Sequence, residues 1–138
     1  MPDPNDWNKA IIEEFRAHEG KVGGQFAGAP LLLITTTGAR TGRRITTPLV
    51  YLPDGERMLV FASKGGAPTH PAWYYNLVAH PTVTVEVEAE SGEFEAVVIT
   101  GEEHDQLYAR QAKAFPGFAE YQAKTKRTIP VVALRRKG

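Results

Sequence analysis

Cysteine is absent from the 138 residues. Its absence removes disulfides, thiolate metal ligands and a thiol nucleophile, and it suits a reducing compartment. Net charge is absent too, since sixteen Lys and Arg balance sixteen Asp and Glu. The molecule as a whole therefore has no field to attract nucleic acid or anionic lipid, and any anion site has to be local. No apolar run approaches the ~20 residues of a membrane span. The opening Met-Pro-Asp-Pro-Asn-Asp-Trp lacks the basic and apolar segments of a signal peptide. A cytoplasmic location is expected. His18, His70, His80 and His104 show no His-x-x-x-His spacing, so no metal is expected. There is no Gly-x-Ser-x-Gly nucleophile motif, no P-loop and no Gly-x-Gly-x-x-Gly fingerprint. Repeats, low-complexity tracts and linkers are also missing, which points to one domain over residues 1–138.

What is present reads as strands with interspersed helices. Trp7, Ile11 and Phe15 recur every four residues, with Gly20 closing the segment and Asp3 or Asn5 as N-cap. That is an amphipathic helix within residues 1–20. Its polar face is acidic as well as basic, so it packs on the domain rather than on a membrane surface. Leu31–Thr37 and Ile45–Leu52 read as strands, the second turning through Pro53-Asp54-Gly55-Glu56 into Arg57–Ser63. Pro71–Ala79 reads as a short helix with Pro71 at its first position. Val83, Val85 and Val87 alternate with polar residues, and Ser91-Gly92 turns the chain into Phe94–Thr100. Glu102–Phe115 reads as a helix stopped by Pro116-Gly117, and Ile129–Leu134 as a last strand. Five or six antiparallel strands over residues 31–136 suggest an α+β small barrel or rolled sheet.

The richest stretch is Thr35 to Lys64. Arg40, Arg43 and Arg44 share a loop with Gly38 and Gly42, between two strands. Glycine allows tight backbone geometry that presents N–H groups, and arginine pairs bidentately with phosphate or carboxylate. Ser63-Lys64-Gly65-Gly66 adds donors if its strand is a neighbour. Two aromatic clusters accompany this loop: Trp73, Tyr74 and Tyr75, and Phe115, Phe118 and Tyr121 around the helix-breaking Pro116-Gly117. Core packing explains either cluster, but the second flanks a loop where ligand-facing side chains concentrate. A planar ring with an anionic tail would suit such a surface. Arg40, Arg43 and Arg44 with Arg135-Arg136-Lys137 would also suit nucleic acid, but zero net charge and the lack of a recognised motif argue against it.

Leu-Ile-Thr-Thr-Thr-Gly-Ala-Arg-Thr-Gly, Thr-Pro-Leu-Val-Tyr, Ala-Ser-Lys-Gly-Gly, His-Pro-Ala-Trp-Tyr-Tyr-Asn-Leu and Arg-Thr-Ile-Pro-Val-Val occur in that order. This set, spanning about Leu31 to Ala133, resembles the deazaflavin-dependent nitroreductase family of actinobacteria. The resemblance implies a split β-barrel, like those that bind flavin mononucleotide, holding reduced coenzyme F420 with its phosphate and oligoglutamate tail. By family position, Arg40, Thr41 and Gly42 would face that tail, with Arg43 and Arg44 assisting. Pro48, Val50, Ala62, Ser63 and Lys64 would border the deazaflavin ring, supported by Trp73 and Asn76. Phe115, Phe118 and Tyr121 fall where relatives carry three tyrosines around the substrate. A tyrosine of the second strand is Val50 here, and an arginine of the tail loop is Ile45. The hydroxyl-bearing residues missing at Val50, Phe115 and Phe118 put activity toward bicyclic nitroimidazoles in doubt.

The expected activity is hydride transfer from reduced F420 to an electron-poor small molecule: an α,β-unsaturated ketone, ester or lactone, or a nitroaromatic. Ser63 and nearby N–H groups would steady developing charge, and Tyr121 or water would supply the proton. The alternatives are an oxidoreductase using flavin mononucleotide and a non-catalytic F420 carrier. Either a monomer or a homodimer is compatible with the sequence.

Overall fold

The computed structural model describes residues 4–18 (side chains from Lys9 onward), 30–63, 69–88 and 90–136. The N-terminal periodicity becomes α1, Pro4–Ala17, with Ile11 and Phe15 buried and Lys9, Glu13, Glu14 and Arg16 exposed. Asn5 lies inside this helix rather than capping it. Asp3, Gly20 and the Trp7 side chain are outside the described residues. Among the described residues seven strands follow: β1 Leu31–Thr37, β2 Arg44–Val50, β3 Leu52–Asp54, β4 Arg57–Phe61, β5 Thr82–Val87, β6 Glu90–Ile99 and β7 Val131–Arg136. Three further helices are α2 Ala72–Ala79, α3 Gly101–Ala114 and α4 Gly117–Lys124. Among the described residues no helix is long and apolar enough to cross a membrane.

All neighbouring strands are antiparallel, in the order β2-β1-β5-β6-β7-β4-β3. β2 and β3 are thus the two edges of the sheet, yet only Tyr51 separates them in the chain. One residue spans a few ångströms, so the sheet must curl until its edges meet at Tyr51. They do not pair beyond that corner. The result is the expected split β-barrel.

The register sorts side chains to two faces. Leu32, Ile34, Val60, Val83, Val85, Phe94, Ala96, Val132 and Leu134 fill the inside, plugged by Trp73 and Leu77 of α2. Outside, α1 covers Leu31 and Leu33, while α3 and α4 cover Leu59, Phe61, Ile99, Val131 and Ala133. β1, β4 and β7 are therefore buried on both faces, and their sequences are unbroken apolar runs rather than alternations.

Several expected boundaries move. The strand read as Ile45–Leu52 breaks at Tyr51, because a single straight strand cannot lie on both edges. The last strand starts at Val131, two residues later than expected, and Pro71 caps α2 from outside, with φ −67 and ψ 154. The turn placed at Ser91-Gly92 lies instead between Val87 and Glu90, which pair across the hairpin, and Glu88 takes φ +54. Gly92 sits within β6 because a Cβ there would lie 3.1 Å from the Arg136 guanidinium, itself 5.0 Å above the Phe94 ring. Pro116-Gly117 does not open a loop; it bends the chain from α3 directly into α4.

Candidate functional site

Strand direction gathers the site. With every pairing antiparallel, the ends of β1, β4 and β6 and the starts of β2, β5 and β7 share one end of the barrel. The arginine loop after β1, Ser63 after β4 and the Ile129-Pro130 segment before β7 all belong to it. Arg135 and Arg136 lie at the opposite end, and on opposite faces of β7. They do not extend the arginine loop, and Lys137 is outside the described residues.

The loop is held mostly by its own backbone. The Gly38 N–H donates to the Arg43 carbonyl at 2.7 Å, the Gly42 N–H to Gly38 at 3.0 Å and the Arg43 N–H to the Thr41 hydroxyl at 3.2 Å. Gly42 takes φ +71, a region costly for other residues. The Ala39 N–H donates to Asn76 Oδ1 at 3.0 Å. These N–H groups are already used, so the expected backbone anion nest is not available at Gly38, Ala39, Gly42 or Arg43. Arg44 is engaged as well, donating to the Thr37 and Thr84 hydroxyls at 3.2 and 2.7 Å. Arg40 and Arg43 are exposed, and among the described residues neither is paired with a carboxylate. They are the cations the loop offers.

Asn76 joins this loop to α2. It is buried, and its Nδ2 donates to the Thr36 hydroxyl at 3.2 Å while its Oδ1 holds Ala39. Beside it a groove of about 460 Å³ runs along the free edge of β2. Ile45, Thr46 and Thr47 of β2 line it, with Ala72, Trp73 and Asn76 of α2 and Lys9, Ile12 and Arg16 of α1. Arg16 is tied to Glu86 of β5 by two bonds of 2.9 and 2.8 Å, which fixes α1 over the sheet. Packing was the only role the sequence suggested for these α1 residues. Their place at the groove follows from the fold and has no local signature.

The residues expected around the ring are divided. Pro48 and Val50 share the outer face of β2 with Thr46, and Val50 packs beneath α1 on Ile11, Phe15, Leu31 and Leu33. Ala62 is fully buried on the inner face with Trp73. Lys64, Gly65 and Gly66 are outside the described residues. The Ser63 N–H donates to the Phe61 carbonyl at 2.8 Å, so its hydroxyl is the donor it can offer.

Arg127 holds this segment in place. Its guanidinium donates to the carbonyls of Ala62 at 3.0 Å and Ser63 at 2.7 Å, and lies 3.0 Å from His70 Nδ1. His70 packs on Tyr74 of α2 at 4.7 Å. Burial, then the Arg127 charge, pushes the His70 imidazole below its ordinary range, which keeps Nδ1 an acceptor. Arg127 stands within the quoted Arg-Thr-Ile-Pro-Val-Val motif, but nothing in that motif reveals its clamp.

The aromatic trio is brought together, with Phe118 and Tyr121 on α4 and Phe115 capping α3. Phe118 meets Tyr121 at 5.2 Å, Phe115 at 6.4 Å and Phe61 at 5.8 Å, all near edge-to-face. Tyr108 joins them and donates its hydroxyl to the Phe118 carbonyl; burial pushes its pKa up to about 12. Next to them is Gln111, fully buried, with no partner for Nε2 or Oε1. An unpaired buried polar group costs about 1–3 kcal/mol. Among the described residues no cluster of His, Asp and Glu could hold a metal.

The family model for F420H2-dependent quinone reductases matches residues 7–136. An F420H2-dependent quinone reductase of Mycobacterium tuberculosis is 40% identical over 129 residues, covering 89% of this chain and 85% of that protein. A solved F420H2-dependent reductase has a TM-score of 0.70 at 39% identity, covering 77% of this chain and 94% of that one. A second solved structure, described as a domain-swapped dimer, has a TM-score of 0.73 at 35% identity, covering 96% of this chain and all (100%) of that one. These likenesses bear out the expected enzyme class, and they select F420 over flavin mononucleotide and an oxidoreductase over a carrier. The chain belongs to the F420H2-dependent quinone reductase family, oxidoreductases whose cofactor is the reduced deazaflavin F420.

Proposed function

We propose that the groove at the free edge of β2 receives the cofactor and that the protein reduces planar conjugated carbonyl compounds, quinones foremost. A quinone is a doubly α,β-unsaturated ketone, so enones, unsaturated esters and lactones of similar shape present the same acceptor chemistry. Nitroaromatics are the lesser class. The observation that carries the reading is Asn76, whose two hydrogen bonds make the groove wall and the arginine loop one rigid unit. The residues fit the group: Trp73, Ile12 and Ile45 give an apolar surface for a ring, and Arg40 and Arg43 give exposed cations for an anionic tail.

When bound, the reduced deazaflavin supplies a hydride, and a proton from elsewhere completes the hydroquinone. The Ser63 hydroxyl donates to the substrate oxygen that gains charge, and Tyr121 or water delivers the proton. Phe115 and Phe118 form the apolar wall of the substrate space. Thr41, Gly42 and Arg44 shape the tail loop, while Pro48, Val50, Ala62 and Lys64 are assigned to the ring by family position. All these residues come from one chain, so a monomer or a homodimer is competent.

Two measurements test this reading. Fluorescence titration should show tighter binding of F420 than of a deazaflavin without the phosphate and glutamate tail; equal affinities would overturn the tail placement. Reduced F420 should be oxidised by 2-methyl-1,4-naphthoquinone faster with the protein than without it, and no acceleration would overturn the substrate class.

A further inference from the structure

Gln111 is the one buried side chain, among the described residues, whose polar atoms have no partner. The other buried polar side chains are satisfied. Thr36 and Asn76 bond each other, and the two ring nitrogens of His104 meet the Ile129 carbonyl at 2.7 Å and Asp105 at 3.0 Å. Leucine or methionine would fill the Gln111 position without stranding a carboxamide, so core packing does not account for glutamine there.

Its position suggests what does. His104, Leu107, Tyr108 and Gln111 form the buried stripe of α3, and Phe115 continues it one turn on. Tyr108 and Phe115, the stripe neighbours of Gln111, both touch the Phe118 ring. Gln111 thus shares its helix stripe with rings assigned to the substrate wall. α4, which packs against α3, has no buried residue of its own, while Gln111 is fully buried. α4 is fastened by the Tyr108 hydroxyl on the Phe118 carbonyl and by Gln122, which donates to the Arg127 carbonyl and accepts from the Ile129 N–H.

We infer that Gln111 is the hydrogen-bonding partner of a substrate ring oxygen admitted beneath α4. A carboxamide carries a donor and an acceptor side by side. Nε2–H donates to a quinone carbonyl, and Oε1 accepts from the hydroxyl that replaces that carbonyl in the hydroquinone. The same side chain therefore pairs with the oxygen before and after reduction. This inference rests on the quinone reading above and assigns one residue of its specificity.

The test compares wild type with Gln111→Leu and Gln111→Met, two apolar replacements of similar size but different shape. Both are assayed with reduced F420 and 2-methyl-1,4-naphthoquinone, alongside thermal melting and F420 titration. The expected result is a kcat/KM at least tenfold lower in both variants, with unchanged F420 affinity and an unchanged or higher melting temperature. Wild-type kcat/KM in either folded variant would overturn the inference, leaving the quinone reading intact. A melting temperature lowered in both, with F420 affinity lost alongside activity, would also overturn it, because Gln111 would then serve the fold. If wild type itself reduces no quinone, the broader reading fails first.

Discussion

At the scale of single residues, the arginine loop separates charge from scaffold. Arg44 is spent on two threonine hydroxyls, whereas Arg40 and Arg43 face solvent. Arg40→Ala should therefore weaken F420 binding by about 1.5–3 kcal/mol, the scale of a charge-assisted hydrogen bond. Raised salt should weaken wild-type binding more than binding to the variant. Equal affinities in a fluorescence titration would make the loop a plain turn. Ser63 invites a second substitution, because its N–H is occupied and only its hydroxyl remains to donate. Ser63→Ala should lower kcat/KM for a quinone about 10- to 1000-fold, the range for losing one oxyanion-type donor. F420 affinity should barely move, and wild-type turnover at saturating cofactor would remove the side chain from the chemistry. Motif and composition pointed to Arg40 and Ser63. They could not reveal Arg127, whose partners are carbonyls 64 and 65 positions away, because a guanidinium's acceptors leave no local pattern.

Among the elements, periodicity located α1, β1, β4, β5 and α3 because each has one or two buried faces that repeat along the chain. It misplaced the turn at Ser91-Gly92 because glycine serves two purposes, φ > 0 and close approach, and only the fold shows that Arg136 demands the second. It missed α4 because this eight-residue helix follows Pro116 directly and, with no fully buried residue, shows only Phe118 and Tyr121 as a short apolar pattern. On the proposed reading, that same helix sets substrate choice. α4 presents Phe118 and Tyr121, and Phe115 precedes it, so hydroxyls are scarce on this wall. Apolar fused-ring quinones, enones and coumarin-type lactones should be turned over better than bicyclic nitroimidazoles, whose nitro group would be buried without a partner. Steady-state assays of both classes with reduced F420 decide this. A nitroimidazole kcat/KM equal to the enone value would sink the idea.

For the whole molecule, stability should change with pH in two separate windows. The folded pKa of His70 lies below 6.5, so the unfolded chain takes up that proton first as pH falls. The contribution of neutral His70 is complete above about pH 6.5 and is lost below it, toward the folded value. Asp54 is held below the ordinary carboxylate range by hydrogen bonds from Arg110 and Arg57, so its contribution persists until the pH falls through about 3.9. Melting temperatures from pH 8 to 5 should decline, and His70→Phe, which keeps a ring against Tyr74, should flatten that decline. An identical slope in the variant would assign the loss to other groups. The position of β7 has a consequence for biosynthesis. Among the described strands it comes last in the chain, yet it lies between β6 and β4, near the middle of the seven-strand order. While residues 131–136 are still inside the ribosome, the nascent chain carries two unzipped strand edges, each a template for pairing with a neighbouring nascent chain. Closure of the barrel therefore waits until residues 131–136 have emerged, and a chaperone that shields β4 and β6 until then would raise yield without touching the finished protein.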